Sequence, residues 1–339
     1  MALDIFQRIQ TSLDEKRHNV TEFLETATNI EKDVCLCDDD LCVQEHLHVI
    51  ETSLEKLDHE TLGLCEICHG YVDTSRLEMD YTAHVCLEHF SDDERRRLES
   101  ELELSQIVQR ALLPQRTPAI SGVEIAAFSR PAEIIGGDYF DFFQFRDGTH
   151  GLVIADVSGH GVAAGMLMSS LQTAIRTMAP DTDSPAEILE RINRFYIHNI
   201  NFTTFVTVFL ARFDPAALEI TYVNAGHNPP AVHRRDSNQI TWLMPTAPAI
   251  GLAEFFKPRI ETVSLAKGDS LLLYTDGVTE VLNDGMEQFG YERLADLLVQ
   301  GMDLRASDLL QTVLQRATAF GDNRSLADDV TMVALKVVG

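Results

Sequence analysis

Beyond residue 86 the chain has no cysteine: all six (Cys35, Cys37, Cys42, Cys65, Cys68 and Cys86) fall in the first quarter of its 339 residues. Disulfides that staple a secreted fold are spread through it, so this clustering points to metal ligation or redox chemistry in a reducing compartment. Basic residues are scarce as well. Lys and Arg number 27 against 53 Asp and Glu, giving a formal net charge of −26. A chain so acidic lacks the clustered cations that neutralise nucleic-acid phosphates, which excludes nucleic acid as an expected partner. No apolar run reaches the roughly 18 residues of a membrane span, and Met1-Ala2-Leu3-Asp4 does not open a signal peptide. The expected location is the cytoplasm, with no membrane partner. Missing too are a G-x-S-x-G elbow, a G-x-x-x-x-G-K-[ST] loop and an H-E-x-x-H pair, so serine hydrolase, P-loop NTPase and zincin chemistry have no warrant.

What is present divides the chain in two, as expected when a single core would have to exceed roughly 250 residues. In the front part Ile5, Ile9, Leu13, Val20, Leu24, Ala27 and Val34 form one helical stripe, and Val43, Leu47, Ile50, Leu54 and Leu57 form a heptad seam. The two predict a helical hairpin over 1–61, with Asp38-Asp39-Asp40 at its tip. Residues 62–90 carry Cys65-x2-Cys68 and, seventeen residues on, Cys86-x2-His89, the spacing of two zinc knuckles. A Cys₃His set of four protein ligands makes a closed, structural Zn²⁺ site, with no open position for catalysis. Cys35, Cys37 and Cys42, with His46 one turn beyond, are either a second metal or redox site or simply a loop with three thiols. A further helix begins at the N-cap Ser91 and carries Leu98, Leu102, Val108 and Leu112 until Pro114 stops it. It predicts a linker over 91–114 that could pair with a second copy of itself, making a homodimer.

From about residue 122 the texture changes to short β-rich runs at 123–128, 151–155, 204–213, 219–224, 260–264, 270–275 and 330–338, with helices at 161–179, 185–199, 291–300 and 306–320. Neighbouring runs such as 204–213 and 219–224 read as antiparallel hairpins, so 115–339 is expected to be an α+β domain. Four acidic sites in it share one design, an Asp at the tip of an apolar run. Asp138 follows Ile134-Ile135-Gly136-Gly137, Asp156 closes Leu152-Val153-Ile154-Ala155, Asp276 follows Leu271-Leu272-Leu273-Tyr274-Thr275, and Asp328-Asp329 opens Val330-Thr331-Met332-Val333. Any one of these is an ordinary turn residue. Converging, they would repel one another unless divalent cations sat among them, and oxygen-only ligation suits Mg²⁺ or Mn²⁺. Two such ions could activate a water and neutralise a phosphoryl group.

Seven blocks strengthen this reading: LSQIVQRALLPQ, PAEIIGGDYFDFF, LVIADVSGHGVAAGMLMSSL, TFVTVFLARFD, ITYVNAGHNPP, GDSLLLYTDGVTEV and DDVTMVALKV. In order and approximate spacing they resemble the metal-dependent PPM protein phosphatases of the SpoIIE/RsbU branch, over residues 104–339. The resemblance implies an antiparallel β-sandwich flanked by helices and a serine/threonine phosphoprotein phosphatase. It implies that Asp138 and Asp156 bridge or flank two metals, that Val157 adds its backbone carbonyl, that Asp276 and Asp328 complete the shell, and that Asp329 is a neighbour that either alignment of the acidic pair could make a ligand. It also implies a phosphorylated STAS-domain protein as substrate, an upstream regulatory protein as partner, and a role in stress or developmental signalling. Arg130 is a candidate for the phosphate-holding Arg of related enzymes. His227 is tempting as a general acid, but Asn224-Ala225-Gly226-His227-Asn228-Pro229-Pro230 favours a turn, and His160 favours a helix-capping role. The segment around Cys65 to His89 is similar to the DksA/TraR zinc finger, with His89 in place of a fourth Cys, and the front module would regulate the phosphatase. The competing expectation is a non-catalytic zinc-finger scaffold that binds a transcription or signalling partner.

Overall fold

A computed structural model of the chain describes residues 40–72, 81–89, 91–159, 161–199, 205–321 and 328–339, together with Phe6, Ile9, Gln10, Leu13, Asp14, Arg17, Thr21 and Leu77. Cys35, Cys37, Asp38, Asp39 and His160, and the side chains of Asp40, Cys42 and His46, lie outside the described residues. The chain forms two compact units, one up to Glu99 and one from Ser100 onward.

In the front unit, helix α1 (Asp40–Asp58) presents Ile50 and Leu54 to a small core. Ile9 and Leu13, also helical, are buried in the same cluster, which continues through Leu62, Cys65, Val72, Leu77 and Ala83. Ile50, Leu54 and Leu57 of the seam read from the sequence thus face an interior, while the connection that would close the hairpin lies outside the described residues. Gly63 turns the chain at φ 75°, where an added Cβ would meet Leu77 Cδ1 at 2.3 Å. Helix α2 spans Asp92–Leu112, and its last turns belong to the second unit.

The second unit is a sandwich of two five-stranded antiparallel sheets. One runs β1 (Val123–Arg130), β10 (Val330–Val337), β9 (Ser270–Tyr274), β6 (Ala231–Arg234), β7 (Gln239–Trp242). The other runs β2 (Tyr139–Gln144), β3 (His150–Val157), β4 (Val206–Asp214), β5 (Glu219–Ala225), β8 (Glu261–Ser264). The period of two sorts their side chains between layers. On β3 and β4, Leu152, Ile154, Phe209, Ala211 and Phe213 join Leu271, Leu273, Val333 and Leu335 of the opposite sheet in the inter-sheet core. Val153, Ala155, Val157, Val208 and Leu210 face the other way, onto Met168, Leu171 and Ile175 of α3 (Gly161–Met178) and Ile188, Leu189 and Ile192 of α4 (Pro185–Asn199). The first sheet is covered likewise: Leu272, Tyr274, Met332 and Ala334 pack on α6 (Gly290–Gln300) and α7 (Ala306–Phe320). Strands covered on both faces read as unbroken apolar runs. Each fully buried aliphatic side chain contributes about 1.5–3 kcal/mol.

Candidate metal centres

Register decides where the carboxylates go. Tyr139, the first residue of β2, pairs with Ala155, and Asp156 pairs with Thr207 near the start of β4. On the opposite sheet Tyr274, the last residue of β9, pairs with Met332 near the start of β10, and Val330 pairs with Arg130 at the end of β1. Asp138 precedes β2, Asp156 nearly ends β3, Asp276 opens the short helix α5 (Asp276–Thr279) after β9, and Asp328-Asp329 precede β10. Contacts between the sheets bring these ends together. Thr275 Oγ1 donates to Asp138 Oδ2 at 2.8 Å, and the Gly137 N–H donates to Asp329 Oδ2 at 2.7 Å.

The electrostatics report the same convergence. Asp138 is pushed well above the ordinary carboxylate range by burial and then by the charges of Asp156 and Asp329. Asp156 is pushed up to about 7 by burial, then by Asp276, Asp328, Asp329 and Glu280. Asp276 rises to about 6 through burial, Asp328 and Glu280. The largest charge effects on all three come from other carboxylates, a field that calls for cations. Hard oxygen donors of this kind fit Mg²⁺ or Mn²⁺. The Val157 carbonyl borders the same turn, since a Cβ on Gly137 would meet it at 2.8 Å.

The acidic pair divides its roles. Asp329 accepts from the backbone N–H groups of Ala132 and Gly137, both at 2.7 Å, and more weakly from Asp138 at 3.4 Å, so both its oxygens hold the loop that carries Asp138. Gly136 and Gly277 make room for it: added Cβ atoms would lie 2.4 Å from Asp329 Oδ2 and 2.0 Å from its carbonyl oxygen. Asp328 is exposed, and its Oδ1 accepts the Asp329 N–H at 2.8 Å. Of the pair, Asp328 is the more open donor. Glu280 was not singled out from the sequence. Its signal was the spacing of four from Asp276 within Asp276-Gly277-Val278-Thr279-Glu280, one helical turn.

Arg130 is exposed at the end of β1, the end to which the carboxylates converge. His227 is only 1% exposed, and burial pushes its pKa down to about 3, so it is neutral and out of reach of a substrate. Gln109 of α2 grips the loop before Asp138 from the other side, donating to the Gly136 carbonyl at 2.6 Å and accepting the Gly136 N–H at 3.2 Å.

In the front unit, one donor atom from each of Cys65, Cys68, Cys86 and His89 lies within 4.8 Å of all the others. Cys65 feels burial, which raises its pKa, but backbone hydrogen bonds from Cys68, Cys86 and Ile67 outweigh it and bring the thiol to about 6. Cys86 is pushed up to about 11 by burial and by the two neighbouring thiols. His89, in the 3₁₀ turn Leu87–His89, buries Nε2 without a hydrogen-bond partner. A nitrogen lone pair held dry beside three thiols fits Zn²⁺, and four protein ligands make the site a closed one.

The family described as stage II sporulation protein E (SpoIIE) matches residues 146–338. The chain is 27% identical over 285 residues to phosphoserine phosphatase RsbU of Bacillus subtilis, covering 83% of this chain and 80% of that protein. With phosphoserine phosphatase RsbP of the same organism it shares 28% over 243 residues, 70% of this chain and 58% of the relative. Among solved structures, the SiaA-PP2C domain of Pseudomonas aeruginosa superposes with a TM-score of 0.64 at 20% identity, over 72% of this chain and 98% of that domain.

Proposed function

This chain belongs to the SpoIIE family of PPM phosphatase domains, and we propose that it hydrolyses phosphoserine or phosphothreonine on a regulatory protein, using paired divalent cations held by Asp138, Asp156, Asp276 and Asp328 with the Val157 carbonyl. The observation that carries the reading is the gathering of these carboxylates at one end of the sandwich, where burial and then their mutual repulsion lift Asp156 to about 7. Bound there, Mg²⁺ or Mn²⁺ would supply Lewis acidity, lowering the pKa of a water and screening the phosphoryl oxygens. The protein's own residues fix the geometry. Thr275 orients Asp138 through Oδ2, and Asp329 clamps the loop from Ala132 to Asp138. Their carboxylates must be deprotonated to ligate, so metal uptake releases protons. His227, buried and neutral, is not the acid for the leaving alkoxide.

The proposed substrate is a phosphorylated STAS-domain protein in the cytoplasm; the support is kinship with phosphoserine phosphatase RsbU. Among the described residues no helix is long and apolar enough to cross a membrane. The front unit, closed by Zn²⁺ on Cys65, Cys68, Cys86 and His89, is proposed to regulate the phosphatase. Pairing of α2 into a homodimer is supported by the exposure of Leu98, Leu104, Ile107 and Val108 on that helix. The test is hydrolysis of a phosphoserine peptide with Mn²⁺ added: turnover is expected from the wild type and none from Asp156→Asn. Undiminished turnover in that variant would sink the assignment. Mixing the protein with phosphorylated STAS-domain candidates tests the substrate.

A further inference from the structure

The chain crosses from one sheet to the other between β5 and β6, through Asn224-Ala225-Gly226-His227-Asn228-Pro229-Pro230. This crossover is knit tightly. Asn224 Nδ2 donates to the Leu243 carbonyl and Asn224 Oδ1 accepts the His227 N–H, at 2.9 and 2.8 Å, while Tyr274 OH donates to the Pro229 carbonyl at 2.9 Å. Gly226, at φ 69°, turns the backbone against Ala249. The imidazole of His227 is thereby held between the two sheets, at the end where the carboxylates gather.

Its two nitrogens address different sheets. Nδ1 lies 2.8 Å from Thr207 Oγ1. Thr207 faces Asp156 in the β3–β4 ladder, and its hydroxyl is 3.5 Å from the Asp156 carbonyl oxygen. Nε2 is buried and has no hydrogen-bond partner, and the backbone carbonyl of Tyr274 is the polar group of the opposite sheet that acts on the ring. Tyr274 directly precedes Thr275, which holds Asp138 through Oδ2, and stands two residues before Asp276. With the proton on Nε2, the ring accepts from the Thr207 hydroxyl of one sheet and keeps an N–H that the Tyr274 carbonyl of the other sheet favours without a hydrogen bond of good geometry. A leucine would fill this space with no polar atom to desolvate; two aimed nitrogens have a purpose that packing alone does not require.

We propose that His227 is a positioning residue, an imidazole bridge that sets the separation of the Asp156 end of one sheet from the Asp138–Thr275–Asp276 group on the other. It touches no substrate and acts through the residues it spaces. The inference rests on the metal-dependent reading of that carboxylate group and adds a residue outside it. Groups that orient metal ligands from behind typically change metal affinity by 10–100-fold when removed.

Mn²⁺ binding, followed by the electron paramagnetic resonance of the free ion, tests this in His227→Phe and His227→Asn. Phenylalanine keeps the ring volume and offers no acceptor, whereas asparagine returns an acceptor near the Nδ1 position. The expected result is a loss of Mn²⁺ affinity of about tenfold or more in His227→Phe, with most of it recovered in His227→Asn although both variants lose some folding stability. Wild-type affinity in His227→Phe, or equal losses in the two variants, overturns the proposal. Failure of the wild-type protein to take up Mn²⁺ would instead remove the metal-dependent reading. In that event amide hydrogen exchange of the metal-free protein decides the role of His227: faster exchange at Asp156, Val157, Thr275 and Asp276 in His227→Phe than in His227→Asn supports the bridge, and equal exchange overturns it.

Discussion

Asp156→Asn should stabilise the metal-free protein at neutral and alkaline pH, even though it removes a group on which activity is proposed to depend. The Asp156 carboxyl is lifted from 3.8 to about 7 by burial and by Asp276, Asp328, Asp329 and Glu280. A raised carboxylate pKa means that the folded state binds the proton more tightly than the unfolded state does. The penalty is therefore absent below the unfolded value of 3.8, grows through the interval between, and is complete above about 7. At 1.36 kcal/mol per pH unit it approaches about 4 kcal/mol. The charge is shared with its neighbours and partly reached by solvent, so about 2 kcal/mol is the gain expected from the neutral amide. His227 works in the opposite sense: below 6.5 the unfolded chain takes up its proton while the folded imidazole resists to about 3, so acidification weakens both proteins alike and the effect cancels in their difference. Guanidinium unfolding in chelator, from about pH 5 to about pH 8, reads the gap. The chain's one tryptophan is Trp242 on β7, edge-on to Tyr291, so its fluorescence follows the second unit alone. A variant less stable than wild type near pH 8, or a gap that does not shrink on acidification, would refute the reasoning. Saturating Mn²⁺ should invert the order, because ligand bound only to the folded state stabilises only the protein that can hold it.

Three further outcomes follow from local geometry. Gly277→Ala places a Cβ 2.0 Å from the Asp329 carbonyl, so it should lower both thermal stability and Mn²⁺ affinity, whereas alanine at Gly148, where nothing lies within 4 Å, should spare the metal affinity; calorimetric titration distinguishes them. Arg176→Met removes that half-exposed side chain's two hydrogen bonds to the buried Asp141 carboxylate, each 2.6 Å, while those from Tyr139 OH and the Phe142 N–H remain, and should destabilise the second unit by about 1.5–3 kcal/mol, read from denaturant midpoints. Stripping Zn²⁺, or Cys68→Ser, should unfold the small core around Cys65, Val72 and Ala83 while leaving the Trp242 signal unchanged, measured by amide exchange and by one zinc per chain in the wild type.

Much of the second unit was legible because its strands are covered on both faces. Leu152 to Ala155 and Leu271 to Tyr274 are unbroken apolar runs, and a run needs no partner to be seen. β6 and β7, four residues each with Arg234 and Gln239 among them, are too short for a period to emerge, and in the aromatic run Tyr139–Gln144 consecutive rings hide the alternation of a strand. The pairing of Val123 with Val337 was invisible, since no local signal sets a partner two hundred residues away. The same distinction runs through the sites. Cys65, Cys68, Cys86 and His89 lie on two knuckles whose spacing is local, so their clustering could be read directly. The aspartates could be named from the strands they end, but not the division of labour between Asp328 and Asp329, which depends on how closely Gly136 and Gly277 let distant backbone approach. Glu280 was hidden for a similar reason: its charge matters only once β3 and β9 end side by side.

The place of β10 in its sheet has a consequence for the protein's birth. It lies between β1 and β9, yet among the described residues it is the last of the ten strands to leave the ribosome, and Asp328 emerges just ahead of it. Until then β1, the first strand made, and β9, the ninth, each keep a bare edge, the state in which nascent chains are most prone to mispair. On the reading proposed above, a growing copy would lack Asp328 and Asp329 until that moment, so unfinished chains would not hydrolyse a phosphoserine.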